Sequence, residues 1–231
     1  MIALLDYDSG NIRSVEKALR KVGADVERVR TPAAMQNAHA VVLPGVGAFD
    51  DCVSALQRQE LLVAARAWIL ADRPFLGICV GYQALFERSD EFNSCAAGLS
   101  VFGGRVVRFD RRPGLKIPQI GWNQVRILRQ DCPLYQGIPD GAYFYFVHSF
   151  YPAPTDESIL ATRTDYGDDF ASSIWRGNVF ATQFHPEKSQ ENGLRLLRNF
   201  VEFSARGREA RANLKSETST PFADHDSTGL R

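Results

Sequence analysis

The residue best suited to covalent chemistry in this sequence is Cys79. It lies in RPFLGICVGYQALFE, which reads as an apolar strand, a sharp turn between Gly77 and Gly81, and a helix. Such a turn places a side chain at the carboxyl end of a strand and at the start of a helix. There the helix dipole favours a thiolate, and the next backbone N–H can face an oxyanion. A lone GxCxG segment fits an inert core thiol equally well, so the chemistry needs a matching base.

A base of the right kind occurs in the segment QFHPEKSQ. His185 follows the strand-like run FATQF, Pro186 stiffens the backbone, and Glu187 places a carboxylate two residues after the imidazole. A histidine can accept a thiol proton and later donate one to a departing amine, while a carboxylate fixes the imidazole tautomer. Alone, His185 would more often be a hydrogen-bonded loop residue and Glu187 a surface acid. Together with Cys79 they supply the three roles of a catalytic triad.

A third element is the glycine-rich loop LPGVGAF at residues 43–49, which follows a buried strand. Gly45, Val46 and Gly47 form a loop whose amides can approach a substrate closely. The ordinary interpretation of such a loop is a strand-to-helix turn.

The elements that must position these residues change character along the chain. In the first half strands alternate with helices, and one apolar stripe marks a helix over residues 11–22. The continuous apolar runs VVLP and FLGI are typical of parallel strands covered on both faces. We therefore predict a three-layer α/β/α sandwich with a mostly parallel central sheet. The second half predicts further strands, several of them antiparallel: GGRVVRF, WNQVRIL, AYFYFVHSF, SILATR, FASSIWR and GNVFATQF.

The sequence predicts one domain over residues 1–206, closed by a helix from about Glu191 to Phe203. Residues 207–231 contain few large apolar side chains, so we expect a mobile tail. The 27 basic and 27 acidic residues balance, which argues against nucleic-acid or anionic-membrane partners. The first residues read as a strand and not as a signal peptide. No apolar run reaches the ~18 residues of a membrane span. Four scattered cysteines predict neither a disulfide framework nor a metal site, and a cytoplasmic location is expected.

The PG loop at residues 44–45, the cysteine elbow around Cys79 and the HPE triplet at residues 185–187 follow one another in the family's order. With these three motifs the chain resembles the class I glutamine amidotransferases over about residues 1–204. The resemblance implies a flavodoxin-like fold, glutamine as substrate and no cofactor. It implies that Cys79 attacks the side-chain amide of glutamine, that His185 protonates the departing ammonia, and that Glu187 holds the ring. The oxyanion would be held by the Val80 N–H and an amide of the loop from Gly45 to Gly47. Glutamine would be bound by Gln83, Gly47 and the backbone near His148, Ser149 and Phe150.

The segments DYDSGNIRSV, IPQIGWNQV and YFVHSFY resemble, more narrowly, the branch of the family that delivers ammonia to a (β/α)8 cyclase in histidine biosynthesis. This implies a heterodimer in which Asn11 and Trp122 contact the cyclase subunit. Trp122 could equally fill a core position. The alternatives are a glutaminase of another synthase, of the anthranilate or pyridoxal phosphate type, a stand-alone cysteine hydrolase, or a non-catalytic amidotransferase-like binding module.

Overall fold

The computed structural model describes the backbone and side chains of residues 1–8, 11–92 and 94–206, and the backbone of 207–217. The helices are α1 (Ile12–Lys21), α2 (Pro32–Met35), α3 (Phe49–Arg58), α4 (Leu61–Leu70), α5 (Val80–Gln83) and α6 (Gln190–Glu217). The strands are β1 (Ile2–Leu5), β2 (Val26–Val29), β3 (Ala40–Leu43), β4 (Phe75–Ile78), β5 (Arg88–Ser89), β6 (Gly104–Arg108), β7 (Gln119–Gln124), β8 (Arg126–Ile127), β9 (Tyr143–His148), β10 (Phe150–Pro154), β11 (Leu160–Asp165), β12 (Asp169–Arg176) and β13 (Val179–Thr182).

An eight-stranded sheet forms the centre of the fold, in the order β2-β1-β3-β4-β13-β12-β11-β8. The five strands from β2 to β13 are parallel to their neighbours, and the remaining strands are antiparallel. This confirms the predicted change from parallel pairing in the first half to antiparallel pairing in the second. It also brings the carboxyl ends of β3, β4 and β13 to the same edge of the sheet, because parallel strands end on the same side.

Burial explains why these strands read as continuous apolar runs. Every residue of β1, β3, β4 and β13 is buried, since helices cover the sheet. Helix α1 buries the stripe formed by Ile12, Val15, Ala18 and Leu19 and packs against α6, whereas α3 packs against α4 and α5. This arrangement confirms the predicted α/β sandwich.

Two segments predicted as single strands are each divided between two sheets. WNQVRIL contributes to β7 and β8, and AYFYFVHSF contributes to β9 and β10. His148 pairs with Gln119 of β7, whereas Phe150 pairs with Arg108 of β6, so the chain changes partner at Ser149. The Ser149 carbonyl instead accepts a hydrogen bond from the Phe109 N–H (3.1 Å). The change of partner directs residues 148–150 toward the edge of the sheet where the functional residues lie.

The closing helix is longer than predicted, since α6 extends to Glu217 and not only to Phe203. The prediction ended the helix where large apolar residues end. The following residues, SARGREARANLKSE, include several alanine, arginine and glutamate residues, whose intrinsic helix propensity is high. The remaining residues of the predicted tail, 218–231, lie outside the described part of the chain. None of the helices in the described ranges is long and apolar enough to cross a membrane.

Candidate active site

Cys79 occupies the junction between β4 and α5 with an unusual backbone conformation. Its φ of 55° and ψ of −109° lie in a region that costs a non-glycine residue about 1–3 kcal/mol. The Cys79 N–H donates to the Thr182 carbonyl (2.7 Å), which ties the turn to β13. A Cβ on Gly81 would lie 2.1 Å from the Leu43 carbonyl oxygen, so the flanking residue must be glycine. The turn is therefore a strained elbow held by its neighbouring strands.

The helix after the elbow is much shorter than predicted. Helix α5 has four residues, whereas the sequence suggested a helix continuing to Phe86. The Leu85 and Phe86 N–H groups donate to carbonyls three residues earlier, those of Tyr82 and Gln83 (both 3.1 Å), so the chain leaves the helix in turns. One turn of helix has a small dipole, because the dipole sums over aligned peptide units. Support for a thiolate must therefore come mainly from the surrounding side chains.

The imidazole of His185 is held in the tautomer that a general base needs. Its Nδ1 lies 2.7 Å from Glu187 Oε1 and donates to this carboxylate. Its Nε2 is buried and has no hydrogen-bond partner of regular geometry among the described residues. Burial would lower the pKa of His185, but the nearby Cys79 sulfur and Glu187 together raise this pKa to about 10. The ring can therefore accept and hold a proton beside the thiol.

The Glu187 carboxylate is buried behind the imidazole and is itself held in place. Its Oε1 also accepts a hydrogen bond from Asn11 Nδ2. Asn11 was predicted only as a contact with a partner, on the basis of the resemblance. Ser189 Oγ donates to the His185 carbonyl (2.6 Å) and accepts from the Tyr145 N–H (2.9 Å). These bonds fix the backbone of the HPE triplet as well as its side chains.

A cavity of about 360 Å³ opens between the elbow, the glycine-rich loop and the turn at Ser149. This volume lies in the range of small-molecule sites. The cavity brings together Cys79, His185 and most of the predicted substrate-binding residues, namely Val46, Gly47, Val80, Gln83, His148, Ser149 and Phe150.

Four predicted residues do not line this cavity. Two of them, Glu187 and Asn11, lie behind the His185 ring, and the other two are Gly45 and Trp122. Gly45 packs against the elbow, where an added Cβ would lie 2.5 Å from the Gly81 nitrogen and 2.8 Å from Val80 Cβ. Trp122 is 46% exposed on β7, and its ring meets the edge of Tyr145 at 6.1 Å between centroids. The structure therefore excludes the core position considered for Trp122.

Four residues that the sequence did not indicate also line the cavity: Glu91, Pro118, Val147 and Lys188. Glu91 Oε2 accepts a hydrogen bond from the N–H of Phe49 (2.8 Å), the last residue of the glycine-rich loop. Burial raises the pKa of Glu91. Glu91 belongs to the sequence SDEFNS, which has no hydrophobic periodicity that could have marked it. Lys188 directly follows the HPE triplet, and this position in the sequence was the one feature that could have indicated that it lies near the site.

Two buried polar side chains hold the cavity wall formed by residues 148–150 in place. His148 Nδ1 donates to the Phe150 carbonyl (2.8 Å), and burial lowers the pKa of His148 to about 3, so the ring is neutral at neutral pH. Gln83 Nε2 donates to the same carbonyl (3.0 Å) and to Gln183 Oε1 (3.2 Å). The backbone of residues 148–150 is thereby fixed from two sides.

The parallel sheet, the strained cysteine elbow and the histidine–glutamate pair together define a class I glutamine amidotransferase. Residues 3–203 match the family model for "Glutamine amidotransferase class-I", and the chain belongs to this family.

Individual relatives narrow the comparison. The chain is 47% identical over 205 residues to imidazole glycerol phosphate synthase subunit HisH from Syntrophotalea carbinolica, covering 87% of this chain and 98% of the relative. It is 49% identical over 201 residues to the same subunit from Thermosynechococcus vestitus, covering 87% and 95%. Among solved structures, PurLQS from Thermotoga maritima has a similar fold, with a TM-score of 0.68 at 18% identity, covering 87% of this chain and 97% of that one.

Proposed function

We propose that this chain is the glutaminase subunit of imidazole glycerol phosphate synthase, which hydrolyses glutamine to glutamate and ammonia. The observation that carries the proposal is the convergence of Cys79 and His185 in one cavity, with the ring of His185 held by the buried Glu187. The identities to relatives of that name support the particular synthase, since they extend over nearly their whole length.

The reaction follows from the positions of these groups. His185 Nε2 takes the proton of Cys79, and the thiolate attacks the side-chain amide carbon of glutamine. The oxyanion meets the Val80 N–H and an amide of the loop from Gly45 to Gly47. Collapse of this intermediate breaks the C–N bond, and the imidazolium donates its proton to the departing ammonia. A water molecule, deprotonated by His185, then hydrolyses the thioester and releases glutamate.

The cavity also offers partners for the remaining groups of glutamine. Gln83, Gly47 and the backbone of His148, Ser149 and Phe150 line the space next to Cys79. Glu91 places a carboxylate on the cavity wall, where the α-ammonium group of glutamine is the cation that it would meet. A substrate bound in this way presents its amide carbon to the sulfur.

The ammonia must reach a second active site without entering bulk water, because in neutral water most of it would be protonated and lose its nucleophilicity. The partner we propose is a (β/α)8 cyclase subunit, which joins ammonia to a phosphoribulosyl intermediate and forms imidazole glycerol phosphate and AICAR. Trp122 is exposed on β7 and is available to such a partner. Asn11 would contact it as well. The cytoplasm is the compartment we propose, since a thiol nucleophile needs reducing conditions.

A glutamine-analogue diazo-ketone, diazo-oxo-norleucine, tests the nucleophile directly. Peptide mapping by mass spectrometry should find the adduct on Cys79, and Cys79→Ala should abolish it. The matched control is Cys95→Ala, which removes an exposed cysteine and should label like the wild type. An adduct on any other residue would falsify the mechanism.

The partner is tested by reconstitution with the (β/α)8 cyclase. The two chains should co-purify, and the cyclase substrate should stimulate glutamine turnover. Cys79→Ala should abolish glutamine-dependent synthesis while synthesis from added ammonium continues. A rate of glutamine turnover that neither the cyclase nor its substrate changes would instead indicate a glutaminase for another synthase.

A further inference from the structure

We propose that Gln183 is a second hydrogen-bond donor to the Cys79 sulfur, which supports its negative charge from the protein interior. This inference rests on the proposed function, because it concerns the nucleophile of that reaction. It assigns a chemical role to a residue that neither the triad nor the substrate site includes.

The contact is direct and fully buried. Gln183 Nε2 lies 3.6 Å from Cys79 Sγ, a separation expected for a hydrogen bond to the large sulfur atom. The side chain of Gln183 is shielded from solvent and does not line the cavity. It therefore meets the sulfur without occupying the space that glutamine needs.

The hydrogen-bond network determines which end of the Gln183 amide faces the sulfur. The Phe150 carbonyl can only accept, so the Gln83 atom that contacts it must be the donor Nε2. The same Gln83 nitrogen meets Gln183 at 3.2 Å, and the Gln183 atom there must be the acceptor Oε1. The other end of the amide, Nε2, consequently faces Cys79.

Gln183 directly follows β13, whose last residue is hydrogen-bonded to the elbow. The Thr182 carbonyl accepts the Cys79 N–H (2.7 Å), and the Gln183 N–H donates to the Ser172 carbonyl of β12 (2.8 Å). His185 follows two residues later, after a bend at Gln183 and Phe184, and lines the same cavity as Cys79. The three-residue segment QFH thus presents two side chains to one sulfur atom.

The chemistry explains the need for a second donor. Helix α5 has only one turn, so its dipole contributes little, and Cys79 is only 4% exposed, so water solvates the sulfur poorly. His185 must give its proton to the departing ammonia and then accept another from water. When the tetrahedral intermediate of deacylation collapses, the C–S bond breaks and its electron pair returns to sulfur. The amide of Gln183 remains a donor through all of these steps.

The test measures the rate of Cys79 alkylation by iodoacetamide against pH, with the Cys79 peptide quantified by mass spectrometry in the full chain. Gln183→Met keeps the volume but removes the donor, and the midpoint of the rate profile should rise by about one pH unit. Gln183→Glu is nearly isosteric and places an acceptor beside the sulfur, so the midpoint should rise further. Ser172→Ala is the control: it removes a buried hydroxyl that bonds Thr162 on the neighbouring strand, and the midpoint should not move.

Unchanged midpoints in both folded Gln183 variants would overturn the proposal. If the variants do not fold, the wild type provides the readout, because the side-chain amide resonances of Gln183 must shift as Cys79 ionises. Gln183 amide resonances whose chemical shifts do not change as Cys79 ionises would also overturn the proposal. A wild-type Cys79 that fails to react with iodoacetamide at all would instead contradict the proposed nucleophile, which separates the two failures.

Discussion

The carboxylate of Glu187 receives hydrogen bonds from two donors, the His185 ring and the Asn11 amide, on the same oxygen atom. A carboxylate held in this way keeps the imidazole plane fixed while its proton moves on and off Nε2. Since Asn11 does not line the cavity, we expect it to act on the proposed reaction through Glu187, in addition to the partner contact proposed for it.

Replacing Asn11 with leucine should separate these two roles. We expect Asn11→Leu to lower kcat about tenfold, the effect of one lost hydrogen bond to a charged group, with little change in KM. The rate of Cys79 labelling by diazo-oxo-norleucine in the chain without its partner should fall to a similar extent. Asn192→Leu removes another asparagine amide, one that bonds the Tyr143 carbonyl, and should react normally. If Asn11→Leu affected only the assembled complex, its role would be confined to the interface.

The glycine-rich loop illustrates how an element can be required for two different reasons. Gly45 has no room for a side chain against Val80 and Gly81, so it fixes the loop onto the elbow. Gly47 has open space around it, but its φ of +89° is unfavourable for any residue with a Cβ. The first glycine is needed for packing, and the second for the direction in which the loop presents its amides.

A pair of glycine substitutions tests this interpretation. Gly23 has a φ of +91° with nothing within 4 Å of an added Cβ, so it matches Gly47 in conformation and space. Gly47→Ala and Gly23→Ala should each lower the free energy of unfolding by about 1 kcal/mol in urea denaturation. Only Gly47→Ala should also reduce glutaminase activity, by about tenfold or more, since Gly47 lines the cavity. An equal loss of activity in both variants would trace the effect to stability alone.

The strands around Ser149 were predicted as one element because apolar residues continue through AYFYFVHSF without a glycine or proline. The structure divides them because β9 pairs with β7 while β10 pairs with β6. A local pattern reports which residues are extended but not which partner each one pairs with. The pattern therefore predicted residues 148–150 only as part of a strand, and it was the family resemblance that assigned their backbone to glutamine binding.

Considered as a whole, the molecule should respond to pH in opposite ways through His148 and His185, the two histidines buried within the described part of the chain. The pKa of His185 is raised to about 10, so the folded chain binds this proton more tightly than the unfolded chain, whose histidine pKa is about 6.5. The resulting stability is complete below about pH 6.5 and is lost as pH rises through about 10. The pKa of His148 is lowered to about 3, so its contribution is complete above about pH 6.5 and is lost as pH falls toward 3.

Urea denaturation across this range provides the measurement. The difference in unfolding free energy between wild type and His185→Gln should shrink as pH increases from about 6.5 to 10. For His148→Phe the corresponding difference should shrink on the acid side, as pH falls from about 6.5 to 4. A His185→Gln difference that stayed constant across the alkaline window would contradict the proposed interaction with Cys79 and Glu187.

The assembly with the cyclase should depend on the exposed tryptophan of β7. Trp122→Ala should weaken binding at least tenfold in titration calorimetry, because large aromatic residues contribute strongly at interface centres. Leu70→Ala changes another exposed apolar residue, 56% exposed on α4, and should bind normally. Neither change should lower the thermal unfolding temperature by more than a few degrees. Normal cyclase binding by Trp122→Ala would remove this residue from the interface.

The sequence by itself determined the class of fold and pointed to Cys79, His185, Glu187 and the glycine-rich loop as the candidate site. The joint occurrence of these motifs and the family resemblance predicted that they meet. The structure gives the reason: β3, β4 and β13 are parallel, and parallel strands end on one side of a sheet. Only the tertiary structure showed that Asn11 reaches Glu187, 176 positions away, and that Gln183 reaches Cys79, 104 positions away. Contacts at such separations leave no periodicity in the sequence, because they depend on how sheets and loops pack and not on the properties of neighbouring residues.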